Sequence, residues 1–286
     1  MLTPSFNQGR FIGDCIASVR NQSYPRVEHI ICDGGSSDET LDVLRASHEG
    51  VRWTSEPDGG QANALNKAFA QSGGGIIGWL NSDDAYFERH AIEDAVAIFT
   101  SRPSVDLVYG HAALVGADNE LLHFMWTPRF SRALLRYANL IVQPTVFVRR
   151  SALEAGFINE EFNFTVDREL WLRLRAAERR FARVDRVIAI DRHHETRKVY
   201  TMQDVGARES EILRATYSLP DGPSRVVISK LSRVVARVCG IVLLRRARVQ
   251  TAFQLRPVSM WALARRQLLT PRRFMPLLRE PPDPSP

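Results

Sequence analysis

The stretch Ile76-Ile77-Gly78-Trp79-Leu80-Asn81-Ser82-Asp83-Asp84 runs from an unbroken apolar segment straight into four polar residues, the last two adjacent acids. An apolar run without alternation suits a strand buried on both faces, the environment of a parallel sheet covered by helices. Such a sheet binds its ligands beyond the carboxyl ends of its strands, and the polar residues follow at that end. Outward from this stretch, 27–31 and 51–55 read as further strands. The segment 61–71 reads as a helix with Ala62, Leu65, Ala68 and Phe69 on one side. A capping box, Ser36 with Glu39 three residues on, predicts a helix over 36–45. A helix over 91–99 and a strand over 105–109 come next. Then 113–115 and 121–124 flank Ala117-Asp118-Asn119-Glu120 as a hairpin. The β-α-β-α-β order predicts an α/β fold, a mostly parallel sheet with helices on both faces, followed by a helical C-terminal extension.

Polar clusters close three of these strands: Asp33-Gly34-Gly35-Ser36, Glu56-Pro57-Asp58-Gly59-Gly60 and Asn81-Ser82-Asp83-Asp84. Their convergence on one sheet edge makes a candidate site. Hard divalent cations take carboxylate oxygens and commonly share one or two acids with substrate phosphates, so Asp83 and Asp84 are candidate ligands. Residues of these types are also turn formers, and both readings stand on spacing alone. Asp167, Leu170, Trp171 and Leu174 fall on one helical face with the acid at its N-terminal end. An acid there satisfies free backbone N–H groups or serves as a base. Gly73-Gly74-Gly75 precedes a strand, so it reads as a flexible turn and lacks the context of a phosphate-cradling loop.

A hydrophobic fraction of 44% with 24% charged residues is that of an ordinary globular protein. Cys15, Cys32 and Cys239 have no paired spacing, which excludes a disulfide framework or zinc site and points to a reducing, cytoplasmic setting. No charged-then-apolar leader is evident. The most apolar stretch, 226–244, is interrupted by Lys230, Arg233 and Arg237, so it falls short of the ~18 uninterrupted apolar residues of a spanning helix. Charge is divided unevenly. From Ser224 on, thirteen Lys and Arg face two acids, giving that segment +11 of the total +6 and leaving −5 on the residues before it.

Five segments in order resemble family-2 glycosyltransferases of the GT-A fold. They are Thr3-Pro4-Ser5-Phe6-Asn7-Gln8, the stretch from Asp33 to Thr40, that from Ser55 to Lys67, Gly78 to Asp84, and Asp167-Arg168-Glu169-Leu170-Trp171-Leu172-Arg173. The resemblance implies a nucleotide-sugar donor, usually UDP-linked, held near Thr3, Ser5 and Asn7. Asp33 would accept from the uracil edge, Glu56 and Asp58 would border the ribose and diphosphate, and Lys67 would lie near phosphate. Asn81 and Asp83 occupy the family's Asp-x-Asp position, with Asn81 in place of the first acid. Mg²⁺ or Mn²⁺ would then sit on Asp83 and Asp84, with His194 of the stretch Arg192 to Lys198 as a further ligand or diphosphate contact. Asp167 would be the base of an inverting transfer to a hydroxyl, on a saccharide or lipid-linked acceptor. Only Met1 and Leu2 precede the first motif, which implies a first strand that begins early or is cut short, and His111 stands where relatives often carry an acid. A donor-binding but inactive membrane-associated subunit is the alternative. A nucleotidyltransferase is disfavoured, since its Gly-rich N-terminal phosphate loop is missing.

On this basis residues 1–200 form a catalytic domain, 201–275 a helical basic amphipathic extension, and 276–286 a disordered Pro-rich tail. Val227, Leu231, Val234, Val238 and Ile241 recur at helical spacing beside Lys230, Arg233 and Arg237. This stripe would lie on an anionic membrane, making the protein peripheral on the inner face, or pack on the catalytic domain. No nucleic-acid-binding module accompanies the basic residues.

Overall fold

The computed structural model describes residues 1–47, 50–153 and 156–244. Strands β1 (Leu2–Ser5), β2 (His29–Asp33) and β3 (Val51–Ser55) run parallel in the order β1-β2-β3, joined by helices α1 (Gly9–Arg20) and α2 (Thr40–Ala46). Every residue of β2 is buried, whereas β3 alternates half-buried and exposed positions, as an edge strand must. Its outward Arg52 pairs with Glu28 at 2.8 Å. Helix α3 (Gln61–Gln71) follows and seats Ala62, Leu65 and Ala68 on the sheet, the face its periodicity predicts.

Strand β4 (Ile76–Gly78) is shorter than the predicted 76–80 because Trp79 and Leu80 leave it to meet β1. Trp79 forms a parallel bridge with Leu2, and the Leu80 N–H donates to the Leu2 carbonyl at 3.1 Å. A side chain at Gly78 would displace the flexible end of Met1 and crowd the Phe147 ring. The chain continues through β5 (Ala85–Tyr86), α4 (Ala91–Ser101), β6 (Leu107–Gly116), β7 (Leu121–Met125), α5 (Leu134–Tyr137), β8 (Phe147–Arg149), α6 (Val166–Ala176) and β9 (Phe181–His193). Their order is β4-β8-β6-β9-β5, with β7 hairpinned onto β6 as predicted. β6 and β9 are parallel, and the other pairings in this half are antiparallel. The strand sequence therefore reverses direction between β1 and β4, which is where an open α/β sheet leaves a crevice.

One expectation is corrected. Helix α2 begins at Thr40, and Ser36 does not cap it: the Ser36 hydroxyl donates to Asp33, and Asp38 instead accepts the Thr40 N–H at 3.0 Å. Residues past 200 contribute to the buried core. After α7 (Lys198–Thr201), helix α8 (Gln203–Thr216) buries Leu213 in the same cluster as Trp171 and Leu65, and Leu219 joins them. The three-glycine turn is also pinned, because Glu28 accepts the N–H groups of Gly73 and Gly74 at 2.7 and 2.8 Å. Helix α9 (Pro223–Leu244) ends the described chain. Arg245, Arg246 and Arg248, the rest of the extension and the Pro-rich tail lie outside the described residues.

Helix α6 is enclosed well beyond the one stripe its spacing predicts, with Leu170, Trp171 and Leu172 fully buried and Arg168 and Glu169 buried beside them. Glu169 is satisfied by Arg173 at 3.1 Å and the Tyr217 hydroxyl at 2.9 Å. The segment entering α6 is held by Glu209 of α8. Its buried carboxylate accepts the backbone N–H groups of Asn163, Phe164 and Thr165 and the Thr165 hydroxyl. Replacing it with Ala strands four donors; the two buried ones on Thr165 cost ~1–3 kcal/mol each when unsatisfied, while water can reach the part-buried N–H groups of Asn163 and Phe164. Glu209→Ala should therefore lower stability by about 2–4 kcal/mol in denaturant titrations, with Glu209→Gln losing less; an Ala variant that melts like wild type would show that water replaces the carboxylate.

Candidate active site

At the crevice between β1 and β4 lies a cavity of about 920 Å³. Its lining combines polar groups, among them Ser5, Asp58, Gln61, Asn81 and Asp83, with apolar ones, among them Met125, Trp126, Leu140, Val142, Phe164 and Met202. The Ser5 hydroxyl is buried at this cavity without a hydrogen-bond partner among the described residues. Buried polar atoms are rarely left so, which marks the hydroxyl as a group available to a ligand.

The loop after β4 and the end of β9 bring Asp83, Asp84, Asp191 and His194 to one place. Asp83 Oδ2 lies 2.8 Å from His194 Nε2. Asp84 is 4% exposed and accepts the Arg192 N–H at 3.0 Å. Its pKa is held well above the usual carboxylate range by burial first, then by the charges of Asp83 and Asp191. Burial likewise raises Asp191, which Arg197 partners at 2.6 Å. Crowded acids kept from ionising freely describe a place where a cation is favourable. Among the described residues no three His, Cys, Asp or Glu side chains already converge as ligands. Asp83 and His194 form a ready pair, and cations of the Mg²⁺ type complete their shell with substrate phosphate and water. The donor set therefore fits such an ion.

Asn81 is the hub of a network across the cavity floor. Its carbonyl accepts Gln61 Nε2 at 2.7 Å and Trp79 Nε1 at 2.8 Å; its amide donates to Gln143 Oε1 at 2.9 Å and, more weakly, to Asp84 Oδ2 at 3.4 Å. An aspartate would set lone pairs against both of those acceptors, which explains the amide physically. Gln61 Oε1 in turn accepts from Lys198 Nζ at 2.7 Å. Lys198 makes no ion pair among the described residues and lies on the cavity wall, where burial lowers its pKa.

Asp167 occupies the second position of α6 and lines the same cavity. Asn139 donates to its Oδ2 at 2.8 Å and the Arg168 N–H to its Oδ1 at 2.6 Å. Burial raises its pKa above the ordinary aspartate value. Glu209 holds the N–H groups just ahead of α6, while Asp167 accepts the first-turn N–H of Arg168 with one oxygen and faces the cavity.

Other predicted residues are placed elsewhere. Thr3 faces the core, its hydroxyl 2.9 Å from His29 Nε2 and 3.8 Å from Cys15 Sγ, with His29 kept neutral by burial at a pKa of about 3. Asp33 accepts the Gly35 and Ser36 N–H groups and the Ser36 and Ser55 hydroxyls, so its carboxylate is engaged in its own turn. Asn7 ties the neighbouring loop, its carbonyl accepting the Ser37 N–H at 2.9 Å. Glu56 and Lys67 pair with each other at 2.7 Å, off the cavity wall. Asp58 does line the cavity and accepts the Gly60 N–H at 2.7 Å. His111 is buried against Thr127, with its pKa lowered by burial to about 4, and takes no part in the cavity. Asn139, Gln143, Asp191 and Arg197 were not expected from sequence. Their signal is a polar residue at each end of an apolar run, as in Asn139-Leu140-Ile141-Val142-Gln143.

Comparison with known proteins agrees with this arrangement. The chain is 34% identical over 177 residues to a chondroitin synthase of Pasteurella multocida and 33% identical over 177 residues to one of Escherichia coli; each match covers 60% of this chain. The matched region spans only 18% and 25% of those proteins. Among solved structures it is similar to residues 1–349 of S. aureus TarS in complex with UDP-GlcNAc. There the TM-score is 0.62 at 17% identity, covering 86% of this chain and 71% of that one. It is also similar to a glucosyl-3-phosphoglycerate synthase of Mycobacterium tuberculosis crystallised with Mn²⁺ and UDP, at a TM-score of 0.54 and 20% identity, covering 77% and 80% of the two chains. These likenesses establish the GT-A fold. Because residues 1–157, more than half of the chain, match the model for glycosyl transferase family 2, this chain belongs to that family.

Proposed function

We propose that the chain transfers a sugar from a nucleotide-sugar donor of the UDP type to a hydroxyl of a saccharide or lipid-linked acceptor, with inversion at the anomeric carbon and with Mg²⁺ or Mn²⁺. The observation that carries the reading is the convergence of Asp167 with the Asp83–His194 pair on one cavity. The acceptor oxygen attacks the anomeric carbon as the bond from that carbon to the diphosphate oxygen breaks. The hydroxyl proton passes to the Asp167 carboxylate, and the nucleoside diphosphate leaves. Asn139 steers one carboxylate oxygen so that the base keeps a single orientation. Asp83 and His194 would hold the cation, which supplies Lewis-acid stabilisation of the leaving diphosphate. Lys198 is placed to add positive charge on the same side, held by Gln61 and the Asn163 carbonyl. Ser5 and Asp58 face the donor region. The complexes of UDP-GlcNAc, and of UDP with Mn²⁺, in the similar structures support the choice of donor and ion.

The base is tested by Asp167→Asn, which keeps size and polarity but cannot take the proton. Turnover should fall roughly 10²–10⁴-fold with UDP affinity within a few-fold of wild type. Since burial holds the Asp167 pKa above its ordinary value, the base is protonated in acid, and the wild-type rate should climb with pH through that raised pKa. The Asn variant should lose this limb. An Asn variant that retains most of its turnover would leave Asp167 a merely structural acid.

The cation is tested separately. Asp83→Ala and His194→Ala should each weaken Mn²⁺-dependent UDP binding, read by titration calorimetry, while melting close to wild type. Full activity in EDTA would overturn the metal assignment. Tight UDP-sugar binding with neither transfer nor hydrolysis by the wild-type protein would favour the inactive, donor-binding subunit.

A further inference from the structure

Helix α9 packs in an unusual sense. Its domain-facing side carries the small residues Ser232 and Ala236, both buried, whereas its larger apolar residues point out. Val227, Leu231, Val234 and Val238 are 61%, 60%, 54% and 59% exposed and recur every three or four residues, so they form one continuous row. Scattered exposed apolar residues are ordinary, but a contiguous row marks a surface that is covered in use. Lys230 and Arg233, also exposed, border the row. Arg233, on the same helix as the row, lines the cavity, as do the apolar Val199 and Met202.

We propose that this face of α9 docks on an anionic lipid bilayer and brings the cavity to the membrane surface. Charge selects the occupant. The chain from Ser224 on carries +11 while the remainder carries −5, so an anionic surface attracts this end of the molecule and repels the other. A second copy of the chain would set two strongly positive segments against each other. No helix among the described residues is long and apolar enough to cross a membrane, so the contact is one of lying on the surface. The row enters the acyl boundary, and the basic border meets the headgroups.

The test uses the full-length chain and vesicles of phosphatidylcholine alone or mixed with phosphatidylglycerol. Sedimentation should carry the protein down with the mixed vesicles only, and raised salt should release it. Leu231→Glu and Val234→Glu should each lower the partition coefficient ten-fold or more, and Lys230→Gln about five-fold. Donor hydrolysis and melting temperature should stay as in wild type, since none of these residues touches the cavity. Equal binding to neutral vesicles, or undiminished binding by both Glu variants, would overturn the proposal. So would a wild-type dimer in sedimentation equilibrium that Leu231→Glu dissociates. Early melting of both Leu231→Glu and the milder Leu231→Ser would show the row to be interior, and would overturn it too.

Discussion

The guanidinium of Arg192, 1% exposed, fastens three separate parts of the chain to the end of β9. Its Nε donates to the Asp83 carbonyl at 2.9 Å, its Nη2 to Asp14 of α1 at 2.9 Å, and its Nη1 to Asn119 of the β6–β7 turn; the Phe11 ring lies against it. A buried charge is tolerable only when partnered on every side, and losing one partner typically costs about 3–5 kcal/mol. Here the partners are the segments that shape the crevice. The Arg192 backbone N–H adds the bond to Asp84. The acids after β4 are thus positioned from β9, which β8 and β6 separate from β4 in the same sheet.

Holding acids rigidly in a partly enclosed place has an electrostatic cost, and the molecule uses it. Asp84, Asp191 and Asp167 are all raised by burial, while Arg197 and Lys198 supply positive charge close by. The arrangement separates tasks by partner. Asp191 is neutralised by a guanidinium, Asp84 is spent on backbone, and Asp83 keeps an oxygen toward His194. Asp167 is met by the Asn139 amide and the Arg168 N–H, and burial outweighs them in raising its pKa.

Much of this was readable beforehand because apolar runs and strand ends are local properties. β2, β3, α3 and the β6–β7 hairpin follow directly from periodicity, and the acids at the end of β4 follow from where that run stops. Depth was not readable. Thr3 and Ser5 share a face of β1, but Thr3 lies two residues deeper, about 6–7 Å along the strand, and meets His29 under α1 while Ser5 reaches the cavity. Pairing between distant residues was hidden as well. Nothing local tells that Lys67 is taken by Glu56, or that Asn81 is committed to Gln61 and Gln143. The capping box at Ser36 misled because the Ser36 oxygen accepts the Asn7 N–H at 2.7 Å, a partner from a distant loop that no local pattern shows.

The carboxylate of Glu209 gives the C-terminal helices an unexpected kind of importance. It is contributed from beyond residues 1–157, the part shared with the family model, yet it sets the approach of the chain to Asp167. Modular exchange between relatives is therefore constrained. A chimera joined just after β9 would import a foreign α8 and leave the approach to α6 unsupported. A junction placed after Leu219 would carry Glu209, Leu213 and Leu219 along as one inheritable unit. The practical border of the transferable module is thus drawn by a hydrogen-bonded side chain, well past the last strand.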